Sequence, residues 1–587
     1  MVIVWAALLV AAFGLCSGKG SHSTTEILTA RFSVGNITDS VDFRVDQNKL
    51  TNNQDWVTVS WSGMSHPDDK DWVALYSPAS ADITQTAPIK LKYAFHSPTH
   101  LSSGSGSLQF SIINMRADFA FVFFRGGMSS PVAVAKSKTI TFRNFNEPSA
   151  ARISFTDTTP HSVRISWSSL DTDSPMVRYR IGLKQFTSNA TTTTYRQDEM
   201  CGPPASGYGW REPGRIHHAV LDGLEPSMPF QYQFGSVKTG WSRTYTGKVP
   251  PAPGADSVSF FAFGDVGTAS ADGALSPFWT QPASRKTTEY LIDNLELADF
   301  LLHIGDISYA VGFQSSWDSF LDQIAPISMA LPYQTAIGNH ERDYEGSNGL
   351  FDVDDSGGEC GLPYRRRFPT PDGSLEKTWY SLESGPVHTL VMSTEHDFSK
   401  GSEQYDFIAN DLMNVDRVKT PWLIVAGHRP MYVDTSADIY GDASEKVVSN
   451  LMRTQLEDLF ITAQVDIALW GHDHSYQRSC PVFNNKCTIK GDDDGYSGPI
   501  HLVVGAAGME LSPNASKPGP AWLSKRIDQY GTGFISATRS KLDFQFIEYL
   551  SNNVVDSFSL RKPSPSRKQS EDILIFDDFS PTEVMVL

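Results

Sequence analysis

Three regimes of apolar patterning follow one another along the chain. In the first, short segments alternate apolar and polar positions between turn-forming residues: DWVTVSWSG (55–63), DWVALYS (71–77), SLQFSIINM (107–115) and FAFVFFRGG (119–127). A period of two predicts antiparallel strands with one buried face. The same rhythm resumes in ARISFTD (151–157), SVRISWSS (162–169), VRYRIGLKQ (177–185), HHAVLDGL (217–224) and FQYQFGS (230–236). After VPPAPGAD (249–256) the pattern changes, and continuous apolar runs alternate with stretches of helical spacing. The runs are VSFFAFGD, DFLLHIGD, QTAIGNH, TLVMSTEHD, PWLIVAGH, VDIALWGHDH and IHLVVGAAG; SRKTTEYLIDNLELA, SEQYDFIANDLMNV and SEKVVSNLMRTQLEDLF carry the helical spacing. Such alternation predicts strands buried on both faces in a partly parallel sheet.

These regimes predict a multidomain chain: N-terminal all-β sandwich modules, then an α/β domain of two mixed sheets flanked by helices. The expected boundaries are a β-sandwich at 27–145, a second at 148–250 and the α/β domain at 255–562. The last of these returns to antiparallel strands in GTGFISATRSKLDFQFIEYL (531–550). The spacing of the second module resembles a seven-stranded fibronectin type III sandwich. Leu224, Pro226 and Phe230 match the approach to its sixth strand, with Phe230 where a corner tyrosine is usual, and Trp167 reads as core. Residues 563–587 are polar and acidic, which predicts a disordered tail.

Composition narrows the function classes. The chain has 587 residues and a net charge of −18, which argues against a nucleic-acid-binding surface. An anionic substrate remains open, because a metal can supply local positive charge. Residues 1–20 form an apolar run ending in small residues and read as a secretory signal peptide, cleaved near Gly18 or Gly20. No Lys or Arg opens that run, which keeps an uncleaved anchor as the alternative. Removing Cys16 leaves Cys201, Cys360, Cys480 and Cys487. Cys480 and Cys487 flank PVFNNK and suit a local bridge, which leaves Cys201 for Cys360 without deciding that pairing. Asn36, Asn189 and Asn514 head N-x-S/T triplets and are candidate glycosylation sites. The expected location is extracellular or in the secretory lumen.

The strand ends carry the chemistry. FFAFGDVG ends on Asp265, LLHIGDISY on Asp306 and Tyr309, and TAIGNHE on Asn339 and His340. LIVAGHRP ends on His428, and IALWGHDH on His472 and His474. One aspartate after a strand is an ordinary turn residue. Five junctions that each pair glycine with a potential ligand point instead to a shared site at the carboxyl edge of a sheet. Carboxylates, a carboxamide and imidazoles, with no thiolate, suit two cations and hydrolysis at phosphorus. His303, inside an apolar run, reads as a core histidine, and His396 has no assigned role.

The set GDVG, GDISY, GNHE, AGHRP and GHDH resembles the five sequence blocks of purple acid phosphatases among the calcineurin-like metallophosphoesterases, and DSGGECGLPY strengthens the likeness to their large plant-type members. The resemblance implies acid phosphatase activity at a dinuclear centre. Asp265, Asp306, Tyr309 and His474 would hold Fe(III), and Asp306 would bridge to a Zn, Mn or Fe(II) ion completed by Asn339, His428 and His472. It implies metal-held hydroxide as nucleophile and His340 at the substrate phosphate, stabilising charge or protonating the leaving group, with a positioning role as the alternative. Smaller plant relatives carry a histidine pair after the position of His428; here RPMYVDTSADIYGD has none. Arg429, Tyr432 and Tyr440 are candidates for substrate contact or for scaffolding. Expected substrates are small phosphate monoesters, nucleotides among them, with no transmembrane segment and a homodimer left open. The competing readings are a nucleotide pyrophosphatase/phosphodiesterase on the same site and a catalytically inert binding protein.

Overall fold

The computed structural model describes residues 41–562, apart from 157–160, 172, 239, 348, 437–444, 489–497 and 513. The signal-peptide stretch, Asn36, Tyr440 and the 563–587 tail lie outside the described residues.

The first module packs a sheet of Asp42–Val45, Asp55–Ser62 and Gly106–Ile112 against one of Lys90–Tyr93, Trp72–Tyr76, Ala120–Arg125 and Val132–Lys136. Alternation decides which side chains meet between them: Val57, Val59 and Trp61 face Phe110, Phe121 and Phe123. In the second module Ser149–Ser154, Val163–Ser169, Arg215–Leu221 and Thr191–Thr193 form one sheet. Met176–Ile181 and Pro229–Ser236 lead the other. Trp167 and Phe230 both lie in the core between them.

The α/β domain stacks two mixed sheets. Tyr333–Ala336, Phe300–Ile304 and Ser257–Phe263 run parallel, and Gly531–Thr538, Lys541–Glu548 and Asn553–Arg561 continue that sheet antiparallel. In the second sheet Val387–Val391, Trp422–Ala426, Ile467–Trp470 and Ile500–Val504 are parallel neighbours, flanked by antiparallel Tyr380–Ser384 and Tyr476–Phe483. The Trp422–Ala426 strand shows why its sequence has no polar position. Trp422, Ile424 and Ala426 enter the core between the sheets, while Leu423 and Val425 enter a second core on the outer face. Ile408 and Leu412 of the Glu403–Asn414 helix cover that outer face. Helices Pro282–Asp293 and Gln314–Ser328 cover the other sheet through Leu291, Trp317, Phe320, Leu321 and Ile324.

The Gln314–Ser328 helix is absent from the sequence expectation, because Pro326 and its buried Ser315, Ser316 and Asp318 blur the apolar stripe. Asp318 has a partner there, since Arg116 of the first module donates Nη2 to both its carboxylate oxygens at 2.8 Å. The expected SEKVVSNLMRTQLEDLF helix is described over Glu445–Thr462, with a π turn at Arg453–Glu457. Disulfides join Cys201 to Cys360 and Cys480 to Cys487, the first across 159 residues of sequence. No helix among the described residues is long and apolar enough to cross a membrane.

Candidate metal centre

All seven candidate ligands and His340 converge at the carboxyl edges of the two sheets. Four of them, Asp265, Asp306, Tyr309 and His472, have φ of 62°, 49°, 47° and 71°, a left-handed conformation that costs non-glycine residues about 1–3 kcal/mol each. The loops therefore turn back sharply enough to aim the side chains along the sheet edge. Close approach also dictates glycine. A Cβ on Gly338 would lie 2.2 Å from Asp306 Oδ1, and one on Gly305 would lie 2.4 Å from His428 Nδ1.

The donor atoms form two adjoining groups. Tyr309 Oη is 3.2 Å from Asp265 Oδ1 and 3.0 Å from His474 Nε2, and that nitrogen is 3.5 Å from Asp265 Oδ1. In the second group Asn339 Oδ1 is 2.9 Å from His428 Nε2 and 3.0 Å from His472 Nδ1. Asp306 Oδ2 lies 3.2 Å from His428 Nε2, and the ligand atoms of Asp306, His428 and His472 all lie within 4.8 Å of one another. Outward hydrogen bonds orient two of the rings. His428 Nδ1 donates to Ile304 O at 3.0 Å and His474 Nδ1 to Glu510 O at 2.8 Å, which leaves their Nε2 atoms facing inward.

Electrostatics describe a site built for cations. Burial opposes a charge on His428, yet the Asp306 and Asp265 carboxylates outweigh it and raise its pKa to about 10. Burial likewise opposes ionisation of Asp306, but the His428 and His340 imidazoles hold it well below the usual carboxylate range. Burial, then Asp306 and Asp265, push the Tyr309 phenol well above its ordinary value. Hard oxygen donors beside imidazoles, with several lone pairs crowded onto one another, fit a pair of cations.

The domains match family models in order: "Fn3-like domain from Purple Acid Phosphatase" over 44–144, "Purple acid Phosphatase, N-terminal domain" over 148–249, "Calcineurin-like phosphoesterase" over 258–476 and "Iron/zinc purple acid phosphatase-like protein C" over 498–557. The chain is 38% identical over 536 residues, 86% of each protein, to "Probable inactive purple acid phosphatase 27" of Arabidopsis thaliana. The chain belongs to the purple acid phosphatase family. Among solved structures, purple acid phosphatase PPD1 from yellow lupin (Lupinus luteus) seeds superposes with a TM-score of 0.83 at 34% identity, covering 89% of this chain and 96% of that one. A "Nucleotide pyrophosphatase/phosphodiesterase" of Hordeum vulgare is 38% identical over 328 residues, 55% of this chain and 88% of the barley protein. Membership in the purple acid phosphatase family implies a dinuclear metal centre, which the two donor groups suit.

Around this purple acid phosphatase site stand two carboxylates that carry no role in the sequence analysis, Glu341 and Asp355. Glu341 accepts from Ile307 N at 2.8 Å and from Gly338 N at 3.0 Å, tying the Asp306 and Asn339 loops together. Asp355 accepts Asn339 Nδ2 at 2.9 Å through its side chain and His340 Nδ1 at 2.9 Å through its backbone carbonyl. Arg429 is 2% exposed and Tyr432 1%, so both are scaffolding rather than open to substrate. Arg429 binds Glu395 and Asp343, and Tyr432 donates to Glu457. His303 is a buried core residue whose Nδ1 meets Tyr333 Oη at 2.7 Å. His396 packs against Ser393 Oγ at 2.8 Å and accepts from Arg342 Nε at 3.3 Å, and burial first, then Arg342, lowers its pKa to about 4. Asn189 is exposed and Asn514 half-buried. Only Glu341, inside GNHE, left a local signal; the other contacts span too much sequence for one.

Proposed function

We propose that the protein hydrolyses phosphate monoesters at acidic pH, with Asp265, Asp306, Tyr309 and His474 holding Fe(III) and Asp306, Asn339, His428 and His472 holding Zn, Mn or Fe(II). The observation that carries this reading is the adjacency of two donor groups, one with a phenol and one with a carboxamide, and Asp306 acting on both. Cations bound there supply Lewis acidity toward the phosphoryl oxygens and acidify water. The chain's own contribution is orientation and proton control. His340 donates a hydrogen bond from Nδ1–H to the Asp355 carbonyl, so Nε2 faces the site, 3.8 Å from Asp306 Oδ2. As an imidazolium that edge would donate to a phosphoryl oxygen or protonate the leaving oxygen. Glu341 and the strained loops fix the donors before substrate arrives.

The same proposal includes export, with glycans at Asn36, Asn189 and Asn514. A second reading, nucleotide pyrophosphatase/phosphodiesterase activity, is favoured by the barley relative. The name of the Arabidopsis relative raises a third, an inert site; the presence of all seven candidate ligands weighs against it.

The test is to load purified protein with iron and zinc and compare hydrolysis of a monoester, a diester and a nucleotide diphosphate near pH 5. Monoester turnover that Asp306→Asn abolishes supports the proposal. Preference for the diphosphate favours the second reading, and no turnover of any ester by fully metallated protein favours the third.

A further inference from the structure

The loop between Asp265 and the Pro282–Asp293 helix carries Trp279 to the mouth of the metal centre. Its ring meets His340 at 5.3 Å and 86° and Tyr309 at 5.7 Å and 72°. The loop is tied back to the Asp265 turn: Thr268 N donates to Gln281 Oε1 at 2.9 Å, and Gln281 N to Thr268 O at 3.1 Å. Ser276 N closes its tip on Thr280 Oγ1 at 2.8 Å. Trp279 is therefore held in register with the donor residues.

The neighbouring rings continue outward. Phe278 lies 4.4 Å from Trp279, Phe313 stacks on Phe278 at 5.8 Å, and Tyr208 is 5.8 Å from Phe313. Phe313 is buried, whereas Phe278, Trp279 and Tyr208 are half-exposed. The outer end is anchored where the modules meet. Ala87 N of the first module donates to Tyr208 O at 2.9 Å, Gln314 N of the α/β domain donates to Gly209 O at 3.0 Å, and the Cys201–Cys360 disulfide closes the same loop.

Half-exposed aromatic rings beside a polar site carry a hydration cost that a planar partner would relieve. Their π faces accept any aromatic ring, independent of its hydrogen-bonding pattern. Beside His340 stand the rings of Tyr309 at 4.7 Å, a candidate ligand, and Trp279 at 5.3 Å, with Phe278 beyond Trp279. We propose that Trp279 and Phe278 form a stacking wall for the leaving group, so that the site prefers phosphate esters of aromatic alcohols and nucleosides over those of aliphatic alcohols. This rests on the phosphoesterase reading above. On this view Trp279 selects the ester by its leaving group, and the strip gives the N-terminal modules a part in shaping the site.

The test compares phenyl phosphate, adenosine 5′-monophosphate and glycerol 2-phosphate in full-length, metal-loaded wild type, Trp279→Ala, Trp279→Phe and Phe278→Ala. For Trp279→Ala the kcat/KM ratio of phenyl to glycerol ester should fall about tenfold, mainly through KM, as expected for one lost stacking ring. Trp279→Phe should restore most of the ratio, and Phe278→Ala should lower the nucleotide ratio more than the phenyl ratio. An unchanged ratio, or an equal fall for all three esters in Trp279→Ala with no rescue by Trp279→Phe, overturns the inference and leaves the phosphoesterase reading intact. Binding of adenosine 5′-monophosphate, followed calorimetrically, separates the two. If wild type turns over no ester but binding still weakens in Trp279→Ala, the wall stands and the phosphoesterase reading fails; binding equal in both overturns the wall.

Discussion

The Arg429 guanidinium lies 3.3 Å from Nε2 of His472, the ring nitrogen turned away from the donor atoms. The other three rings of the site, His428, His474 and His340, place their outward bonds on backbone carbonyls. Among these rings His472 has a guanidinium rather than a carbonyl at its outer nitrogen. The same guanidinium binds Glu395 at 2.8 Å and Asp343 at 3.1 Å, and lies 4.8 Å from the Phe351 ring.

Replacing Arg429 by Met should strand Glu395 and Asp343 in a buried position without a counter-charge. A broken buried ion pair of this kind costs about 3–5 kcal/mol. Chemical unfolding should show a loss of that order, and Arg429→Lys should recover only part of it, because an ammonium cannot serve both carboxylates in the same geometry. Unchanged stability in Arg429→Met would remove this account of the cluster.

Glu341→Gln should loosen the metal centre while leaving the fold in place. The amide keeps one acceptor, but its NH2 would face either Ile307 N or Gly338 N, both of which now donate to the carboxylate. The expected result is roughly 10–100-fold weaker metal retention against a chelator, the usual scale for partners that orient ligands. Circular dichroism equal to wild type, with equal metal retention, would contradict it.

Tyr309 is the candidate that selects for iron. Iron-loaded protein should absorb in the visible through phenolate-to-Fe(III) charge transfer, since phenolate is a hard anionic donor. Tyr309→Phe should lose that band. A colourless, iron-free yet active wild type would sink the ferric assignment without touching the phosphoesterase proposal.

Stability should also depend on pH at a place remote from the site. Burial opposes a charge on His388, but hydrogen bonds to Asp411 at 2.8 Å and Glu383 at 3.4 Å outweigh it and raise its pKa from 6.5 to about 9. A raised folded pKa means the contribution is complete below about pH 6.5 and is lost as pH rises through 9. The loss should be on the order of 2 kcal/mol between those limits. Melting curves at both pH values should show it in wild type, and His388→Gln should flatten the dependence; equal slopes would refute the assignment.

Much of this architecture is legible from local pattern. Strands such as Asp55–Ser62 announce themselves because one face is buried and the other wet, and Trp422–Ala426 because both faces are buried. The seven candidate ligands are readable because they cluster at five strand ends, each opened by a glycine that lets the loop turn. The Gln314–Ser328 helix is harder to read, since its buried Asp318 is satisfied by Arg116, 202 residues away.

The sequence by itself determined the order of domains, the strand ends and the chemical character of the candidate ligands, because these follow from hydrophobic period and side-chain type within a few residues. Only the tertiary structure decided what surrounds that set: Arg429 against His472 and Glu395, Glu341 between two loops, and Trp279 against His340. Apart from Glu341 with Gly338, those contacts join segments 30 or more residues apart, as with Glu341 and Ile307 at a separation of 34. A charge or a ring carries no mark in sequence of the partner that burial will give it, so the packing of the two sheets and their loops settles the choice.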